Sequence, residues 1–243
     1  MIRARASAQL VAGVIILAAI ALLIAVATRG PEPLPPRPPS ERPTLLLLTS
    51  LPLMFGEGFS LQDTGSPAMR ALGARYRVVP ISVTDPTELG KGRLLLMAHP
   101  LAQPAEDLVA LDEWVRGGGR LLLLADPTLE WPSERSLGDP MRPPPTFADT
   151  GLLAHWGLRL DAPDEPGTAW EKLGGFDIVT RSPGRLSGSC DIGGDKFVAR
   201  CRIGKGEAII VAEADFLDVR TLGPGAKHNL DALTAELASL EDR

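Results

Sequence analysis

Several short, uninterrupted apolar runs occur between residues 44 and 127, and each ends at turn residues. They read "TLLLLTSLP" from Thr44, "YRVVPIS" from Tyr76, "RLLLMAHP" from Arg93 and "RLLLLADP" from Arg120. Runs of this length predict strands rather than buried helices, and apolar strands without alternation are typical of parallel sheets covered on both faces. Pro80 interrupts the second run, which predicts a position near the sheet edge because proline removes a ladder hydrogen bond.

The stretches between these runs have the spacing of helices. "SPAMRALGARY" offers Ser66 as an N-cap and Pro67 at the first helical position. In "LAQPAEDLVALDEWVRGGG" the apolar residues from Leu108 to Val115 fall on one face of a helix. Strand, helix and strand in repetition predict an α/β domain with a mostly parallel sheet, of flavodoxin-like or amidotransferase-like type.

The pattern changes toward the carboxyl terminus. Residues 132–145 have no period and predict a long loop over the end of the sheet, and "LRLDA" predicts a fifth strand. "GRLSGSCDI", "DKFVARCRI" and "GEAIIVAEA" predict short strands of an antiparallel meander, and "HNLDALTAELASLEDR" predicts an amphipathic helix. The sheet is therefore expected to carry a C-terminal antiparallel extension.

The amino terminus has the pattern of a membrane anchor. Leu10 to Ala27 form an uncharged apolar segment of about 18 residues, just long enough to span a bilayer. Arg3 and Arg5 precede it, which places the amino terminus in the cytoplasm. A cleaved signal peptide, a buried helix and a reversed topology are the alternatives, but the apolar region is longer than a usual signal core.

These features predict a single-pass protein of the bacterial inner membrane. Residues 1–28 form the cytoplasmic tip and transmembrane helix, residues 29–43 a proline-rich linker, and residues 44–243 a periplasmic α/β domain. The net charge of -5 and the pI near 5.3 make a nucleic-acid partner improbable, because bulk electrostatics would oppose it.

Three consecutive glycines, Gly117 to Gly119, raise the question of a phosphate-binding loop. Phosphate loops follow a strand and open a helix, whereas these glycines follow a helix and precede a strand. We interpret them as a helix end at the amino side of the sheet, away from the carboxyl ends where ligands of open α/β sheets bind.

The carboxyl ends of the strands carry the candidate ligand-binding residues Ser50, His99 and Asp126. His99 is interpreted either as a base or ligand or as a hydrogen-bonded loop residue, and Asp126 either as a ligand contact or as the acceptor of an Asp-Pro turn. The strand end "LLLMAHPLAQ" supplies neither the serine nor the cysteine of a nucleophile elbow, so no residue is assigned to catalysis.

A competing hypothesis is an envelope hydrolase or transferase acting on glycans, with carboxylates such as Asp126, Glu130 and Asp215 as acid and base. The three histidines are scattered and no CxxC occurs, so the sequence predicts no metal. The "GKG" at Gly204 lacks the rest of a Walker motif, and no cofactor is predicted.

Cys190 and Cys201 are the only cysteines. They form either a disulfide or two half-buried thiols. A two-residue turn at Gly193 and Gly194 would pair Cys190 with Phe197, so a disulfide requires another register or strand order.

Several segments together resemble a known family. They are "LLLMAHPLAQPAEDLVALDEWVRGGGRLLLLADP", "LLAHWGLRLDAP", "GKGEAIIVAEADFLD" and "HNLDAL". Between Thr44 and Leu240 the chain resembles the GldG-like auxiliary components of gliding-motility-type ABC transporters, which have a membrane anchor and a degenerate class I glutamine-amidotransferase-like domain. The resemblance implies a non-enzymatic extracytoplasmic binding or assembly module whose partners are an ABC permease and ATPase or other envelope proteins.

Overall fold

The computed structural model of the protein describes residues 30–54 and 65–241. The chain divides into two compact units, Met1–Glu32 and Pro33–Arg243, and the fold described here is that of the second. The predicted transmembrane segment, Leu10 to Ala27, lies outside the described residues. Within the described part, no helix combines the length and the apolar character needed to cross a membrane.

Eleven strands occur in the described part of the chain. They are β1 (Thr44–Thr49), β2 (Arg77–Pro80), β3 (Leu94–Ala98), β4 (Arg120–Leu124), β5 (Leu158–Asp161), β6 (Thr168–Leu173), β7 (Phe176–Arg181), β8 (Arg185–Gly188), β9 (Asp191–Ile192), β10 (Val198–Ile203) and β11 (Gly206–Val211).

Six α-helices accompany these strands within the described residues. They are α1 (Pro67–Arg75), α2 (Pro86–Leu89), α3 (Ala105–Arg116), α4 (Leu152–His155), α5 (Val219–Leu222) and α6 (Asn229–Glu241). Ser66 caps α1 as predicted, because its side chain accepts a hydrogen bond from the Met69 amide at 3.1 Å.

A seven-stranded sheet with the order β2-β1-β3-β4-β11-β10-β9 forms the centre of the domain. Strands β2, β1, β3, β4 and β11 are parallel, and β10 and β9 extend the sheet in antiparallel fashion. This confirms the predicted mostly parallel sheet with its antiparallel extension. It also confirms that the strand containing Pro80 lies at an edge.

The central parallel strands of the sheet contribute to two separate apolar layers. Leu45 and Leu47 pack on one face with residues of α1 and α6, whereas Leu46 and Leu48 pack on the other with residues of α3 and α4. The alternation follows from the two-residue period of a strand. Both faces are covered, which explains why these strands are apolar along most of their length.

The position of β11 corrects one prediction. The sequence "GEAIIVAEA" was expected to belong only to an antiparallel meander, but β11 pairs in parallel with β4 along its other side. All six residues of β11 are buried, as expected for a central strand. Hydrophobic periodicity indicates burial but does not specify which strand will be the neighbour, and for this reason the parallel pairing was missed.

Two small antiparallel sheets lie outside the main sheet. β5, which contains the predicted fifth strand, pairs with β8. β6 and β7 form a hairpin that the sequence analysis did not predict. Trp170 of β6 is 62% exposed, whereas Phe176 and Ile178 of β7 are buried in the apolar core.

Part of the proline-rich segment lies on the domain. The amide of Arg37 donates to the carbonyl of Ala74 at 2.9 Å, and the Arg37 guanidinium forms an ion pair with Glu241, also at 2.9 Å. The side chain of Arg75 in turn donates to the carbonyl of Pro35. The packed region therefore begins before Thr44, the predicted start of the domain.

Cys190 and Cys201 are joined by a disulfide. The pairs Asp191 with Arg200 and Ile192 with Ala199 set the register of β9 and β10, and one further step places the two cysteines opposite each other. The connection is longer than a two-residue turn, since the Gly193 amide donates to the carbonyl of Val198. This longer connection supplies the other register that a disulfide required.

Candidate functional site at the carboxyl ends of the strands

The carboxyl ends of the central parallel strands bring the predicted site residues to one edge. Ser50 follows β1, His99 follows β3 and Asp126 follows β4. The strand order 2-1-3-4 is that of flavodoxin-like sheets, in which the connections reverse direction between β1 and β3. A crevice at that reversal is the usual ligand position in such folds.

Three acidic side chains meet where β4 and β11 end, and we call Asp126, Glu213 and Asp215 the acidic centre. One carboxylate oxygen from each lies within 4.8 Å of the other two. Their exposed fractions are 0%, 0% and 2%. Parallel pairing of β4 with β11 causes this meeting, because it places the ends of both strands at the same edge.

Backbone amides bind the acidic centre and connect its loops. Asp126 accepts hydrogen bonds from the amides of Thr128 at 2.8 Å and Ala214 at 3.1 Å. Asp215 accepts from the amide of Glu130 at 2.7 Å. Asp126 thus acts as the turn acceptor that one interpretation predicted, and it also ties the loop after β4 to the loop after β11.

The surroundings of Asp215 and Glu213 favour the protonated forms of these two carboxyl groups. Burial, followed by the nearby charge of Asp126, raises the pKa of Asp215 to about 7. Burial, followed by the charge of Asp126 and a hydrogen bond with it, raises the pKa of Glu213 well above its usual value. Protonation of Glu213 relieves the repulsion between its buried carboxyl group and the charge of Asp126.

The acidic centre is also the group of side chains, within the described residues, that could hold a metal ion. Carboxylate oxygens are the ligands that hard cations such as calcium and magnesium take in proteins. The prediction from the sequence that the chain holds no metal stays a prediction.

His99 is a fully buried residue with a left-handed backbone, at φ 45°. Its ring Nε2 donates to the carbonyl of Pro144 at 2.8 Å, which fixes the loop over the sheet edge. Burial lowers the pKa of His99, although the Pro144 carbonyl and the charge of Asp126 oppose this shift. His99 is therefore neutral at neutral pH and holds the loop in the way that its structural interpretation predicted.

Ser50 and His99 do not form a nucleophile and base pair. The Ser50 hydroxyl donates to the backbone carbonyl of His99, not to its imidazole ring. A serine nucleophile needs its proton directed at a ring nitrogen or another base. The geometry accordingly suits a structural role for this contact.

An open cavity of about 370 Å³ lies beside β1 and β2 at the same edge, and we call it the β1–β2 cavity. Ser50 lines it together with Arg135 and Arg142 of the long loop. His99 and Asp126 do not line it. Of the three predicted ligand-binding residues, Ser50 is the one that lines this cavity.

Glu213, Arg135 and Arg142 were not singled out from the sequence. Glu213 could have been found from the spacing "AEAD" directly after a buried strand, had β11 been placed beside β4. The two arginines lie in the long loop at 132–145, whose sequence has no period and gave no indication of which strand end it covers.

The chain matches one known protein family over half of its length. Residues 42–163, half of the chain, match the family described as an ABC-type uncharacterized transport system. The chain belongs to this family. Membership confirms the resemblance to auxiliary components of ABC transporters and gives the chain a role associated with such a transporter.

Two solved structures share the fold at 12% sequence identity and a TM-score of 0.50. The mmIFT52 N-terminal domain covers 81% of this chain and 97% of its own length. A cytoplasmic protein from Salmonella typhimurium covers 82% of this chain and 98% of its own length. At this identity the likeness to these proteins concerns the fold alone. A search of curated proteins found no match.

The structural matches also include an exo-β-1,4-mannosidase from Opitutaceae bacterium strain TAV5, at 14% identity and a TM-score of 0.47 over 83% of this chain. The chain spans about a third of the length of this enzyme and of the β-galactosidases that follow it.

Proposed function

We propose that the chain is a non-catalytic module, anchored in the bacterial inner membrane, whose periplasmic domain binds or assembles components of an ABC transporter. The family match over residues 42–163 is the observation that carries the proposal. The partners are the permease and ATPase of that transporter. The long apolar segment from Leu10 to Ala27 supports the anchor, and Arg3 and Arg5 support a cytoplasmic amino terminus.

The disulfide between Cys190 and Cys201 supports a periplasmic location. Disulfides persist in oxidising compartments and are rare in the cytoplasm, where thiols are kept reduced. The bond joins the residue directly before β9 to β10, and both strands belong to the domain that follows the predicted anchor.

The burial of the acidic centre supports a non-catalytic role over the glycan hydrolase alternative. A glycosidase needs two carboxyl groups that face a cleft wide enough for a sugar. Asp126 and Asp215 are close together, as that alternative required, but they are 0% and 2% exposed and already bind backbone amides. Substrate has no access to them in this conformation.

Topology and partnership are separately testable. Alkaline phosphatase fused after Arg243 should be active in cells, because the reporter would fold in the periplasm; an active cytoplasmic reporter at the same position would contradict the orientation. Affinity purification of the full chain should recover an ABC permease and ATPase in fixed ratio. Recovery of neither, with the chain itself intact, would contradict the association.

A further inference from the structure

The amino ends of the parallel strands form a second edge, where several basic side chains come together. A cavity of about 760 Å³ at this edge is lined by Lys91, Arg93, Arg120 and Lys205, which we call the basic rim. All four lie where a strand begins. Lys91 and Arg93 precede β3, Arg120 is the first residue of β4, and Lys205 directly precedes β11. Parallel pairing therefore brings four cations together in a chain whose net charge is -5.

The one acidic residue that lines this cavity is engaged elsewhere. Glu241 accepts an ion pair from Arg37 at 2.9 Å and a hydrogen bond from the Tyr76 hydroxyl at 2.5 Å. Lys91 forms an ion pair with Glu88 on the preceding helix. Arg93 and Lys205 are exposed, so the rim presents positive charge to whatever lies against it.

The glycines at this edge shape the cavity but do not bind an anion themselves. The amides of Gly117, Gly118 and Gly119 all donate to carbonyls of the last turn of α3. This confirms the interpretation of the glycine run as a helix end. Binding at this edge would rest on the side chains of the basic rim, not on a backbone cradle.

The chain enters the domain at this same edge. Pro43 and Thr44, at the start of β1, line the cavity, and Arg75, whose side chain contacts Pro35, ends α1 immediately before β2. Seven residues, 28–34, separate the predicted membrane segment from Pro35. Even in extended polyproline form at about 3.1 Å per residue, this connection reaches only about 22 Å.

We propose that the basic rim docks onto the anionic phospholipid headgroups of the membrane that holds the predicted anchor. The short connection keeps the entry point of the domain near the bilayer, and each basic side chain near an anionic surface strengthens binding about fivefold. This docking rests on the proposed function, because it requires the predicted membrane anchor. With the basic rim on the lipid, the carboxyl edge and its β1–β2 cavity face away from the membrane.

A fluorescence experiment on the full chain tests the docking. The native cysteines are bonded to each other, so a Glu113→Cys variant offers one free thiol in the last turn of α3, near the basic rim. An NBD fluorophore on this thiol would be quenched by nitroxide headgroup lipids in nanodiscs containing either 30% phosphatidylglycerol or phosphatidylcholine alone. A second label, at Leu137→Cys on the carboxyl-side loop, reports the opposite edge, where Leu137 is 80% exposed.

Quenching at Glu113→Cys should be strong with phosphatidylglycerol and weak with phosphatidylcholine, and it should fall in 0.5 M NaCl. Adding Arg93→Gln and Lys205→Gln should weaken the docking equilibrium about 25-fold. The matched control, Arg159→Gln with Lys172→Gln, removes two exposed cations elsewhere and should leave quenching unchanged. The Leu137→Cys label should remain unquenched in all discs.

Equal quenching in both kinds of disc would overturn the docking, as would quenching unaffected by Arg93→Gln and Lys205→Gln. Tight binding of inorganic phosphate without any effect of phosphatidylglycerol would assign the rim to a soluble anion instead. Flotation of the full chain with phosphatidylcholine vesicles tests the anchor separately. Flotation without lipid-dependent quenching refutes only the docking, whereas failure to float refutes the anchor and the docking with it.

Discussion

The acidic centre at one edge of the central sheet and the basic rim at the other differ in charge and in exposure to solvent. At the carboxyl edge, the acidic centre of Asp126, Glu213 and Asp215 is buried and bound by backbone amides. At the amino edge, the basic rim surrounds an open cavity, with Arg93 and Lys205 exposed to solvent. Buried charges of this kind determine stability and its pH dependence, whereas exposed charges are available to partners.

This comparison reverses the usual expectation for an open α/β sheet. Ligands generally bind at the carboxyl ends of the strands, and the candidate residues Ser50, His99 and Asp126 were chosen for that reason. Two of these residues are buried, and the long loop covers them through the bond between His99 and Pro144. Charge and access, taken together, distinguish the two edges better than strand direction does.

The largest expected effect comes from removing the central acceptor of the carboxyl edge. Asp126→Ala leaves the amides of Thr128 and Ala214 without their acceptor, and at a buried site this should cost roughly 2–5 kcal/mol of unfolding free energy. Urea denaturation of the full chain in mild detergent measures the loss. The matched control Asp177→Ala, on the exposed hairpin, should change the unfolding free energy by less than about 1 kcal/mol. Similar losses of unfolding free energy in both variants would contradict a particular stabilising role for the acidic centre.

The next effect tests whether the amino edge is closely packed beneath its charges. A Cβ at Gly206 would lie 2.0 Å from the carbonyl oxygen of Val115 and 2.4 Å from that of Gly119. Gly206→Ala should therefore cost about 1–3 kcal/mol through overpacking. Gly73→Ala in α1 meets nothing within 4 Å, and the same measurement should show a gain of up to about 1 kcal/mol from helix propensity. An unchanged unfolding free energy in Gly206→Ala would show that the packing at the amino edge can adjust to an added Cβ.

A smaller effect is the pH dependence that the acidic centre imposes. The pKa of Asp215 is raised from its ordinary value to about 7, so the folded state holds a proton that the unfolded state has released. The stability from this proton is present below about pH 4 and is lost as the pH rises toward 7, at up to about 1.4 kcal/mol per pH unit. Glu213 contributes in the same direction, whereas the charge of Arg181 opposes the shift at Asp215.

The variant that isolates this contribution is Asp215→Asn, whose side-chain oxygen can still accept from the Glu130 amide. Denaturation between pH 4.5 and 7.5 should show a smaller fall of stability with pH than in the original chain. Asp177→Asn on the exposed hairpin should keep the original slope. An unchanged slope in Asp215→Asn would mean that this carboxyl group titrates normally.

The smallest effect on stability is expected at the basic rim. Arg93→Gln with Lys205→Gln alters exposed side chains, and such changes are usually worth about 0.5 kcal/mol or less. The same denaturation assay should place this double variant within that margin of the original chain. A loss comparable to that of Asp126→Ala would mean that the rim is structural, and the contrast between the edges would disappear.

Sequence patterns predicted the local elements of the fold, but not the long-range pairing of its strands. Apolar runs and caps such as Ser66 identified β1, β2, β3, β4 and the helices α1 and α3, because burial and capping are local properties. The pairing of β11 with β4 is a long-range property, and with it the partnership of Asp126 and Glu213 was missed. The basic rim was missed for the same reason, since its cations come from three separate segments, at 91–93, 120 and 205, that meet only at the sheet edge.

Hydrogen–deuterium exchange on the full chain, in nanodiscs with and without phosphatidylglycerol, compares both edges in one measurement. The account predicts that anionic lipid slows exchange in peptides covering residues 91–93, 117–120 and 204–206. Peptides covering 126–130 and 213–215 should exchange at the same rate in both kinds of disc. Lipid-dependent protection of the carboxyl edge, or of neither edge, would contradict the assignment of partner binding to the basic amino edge.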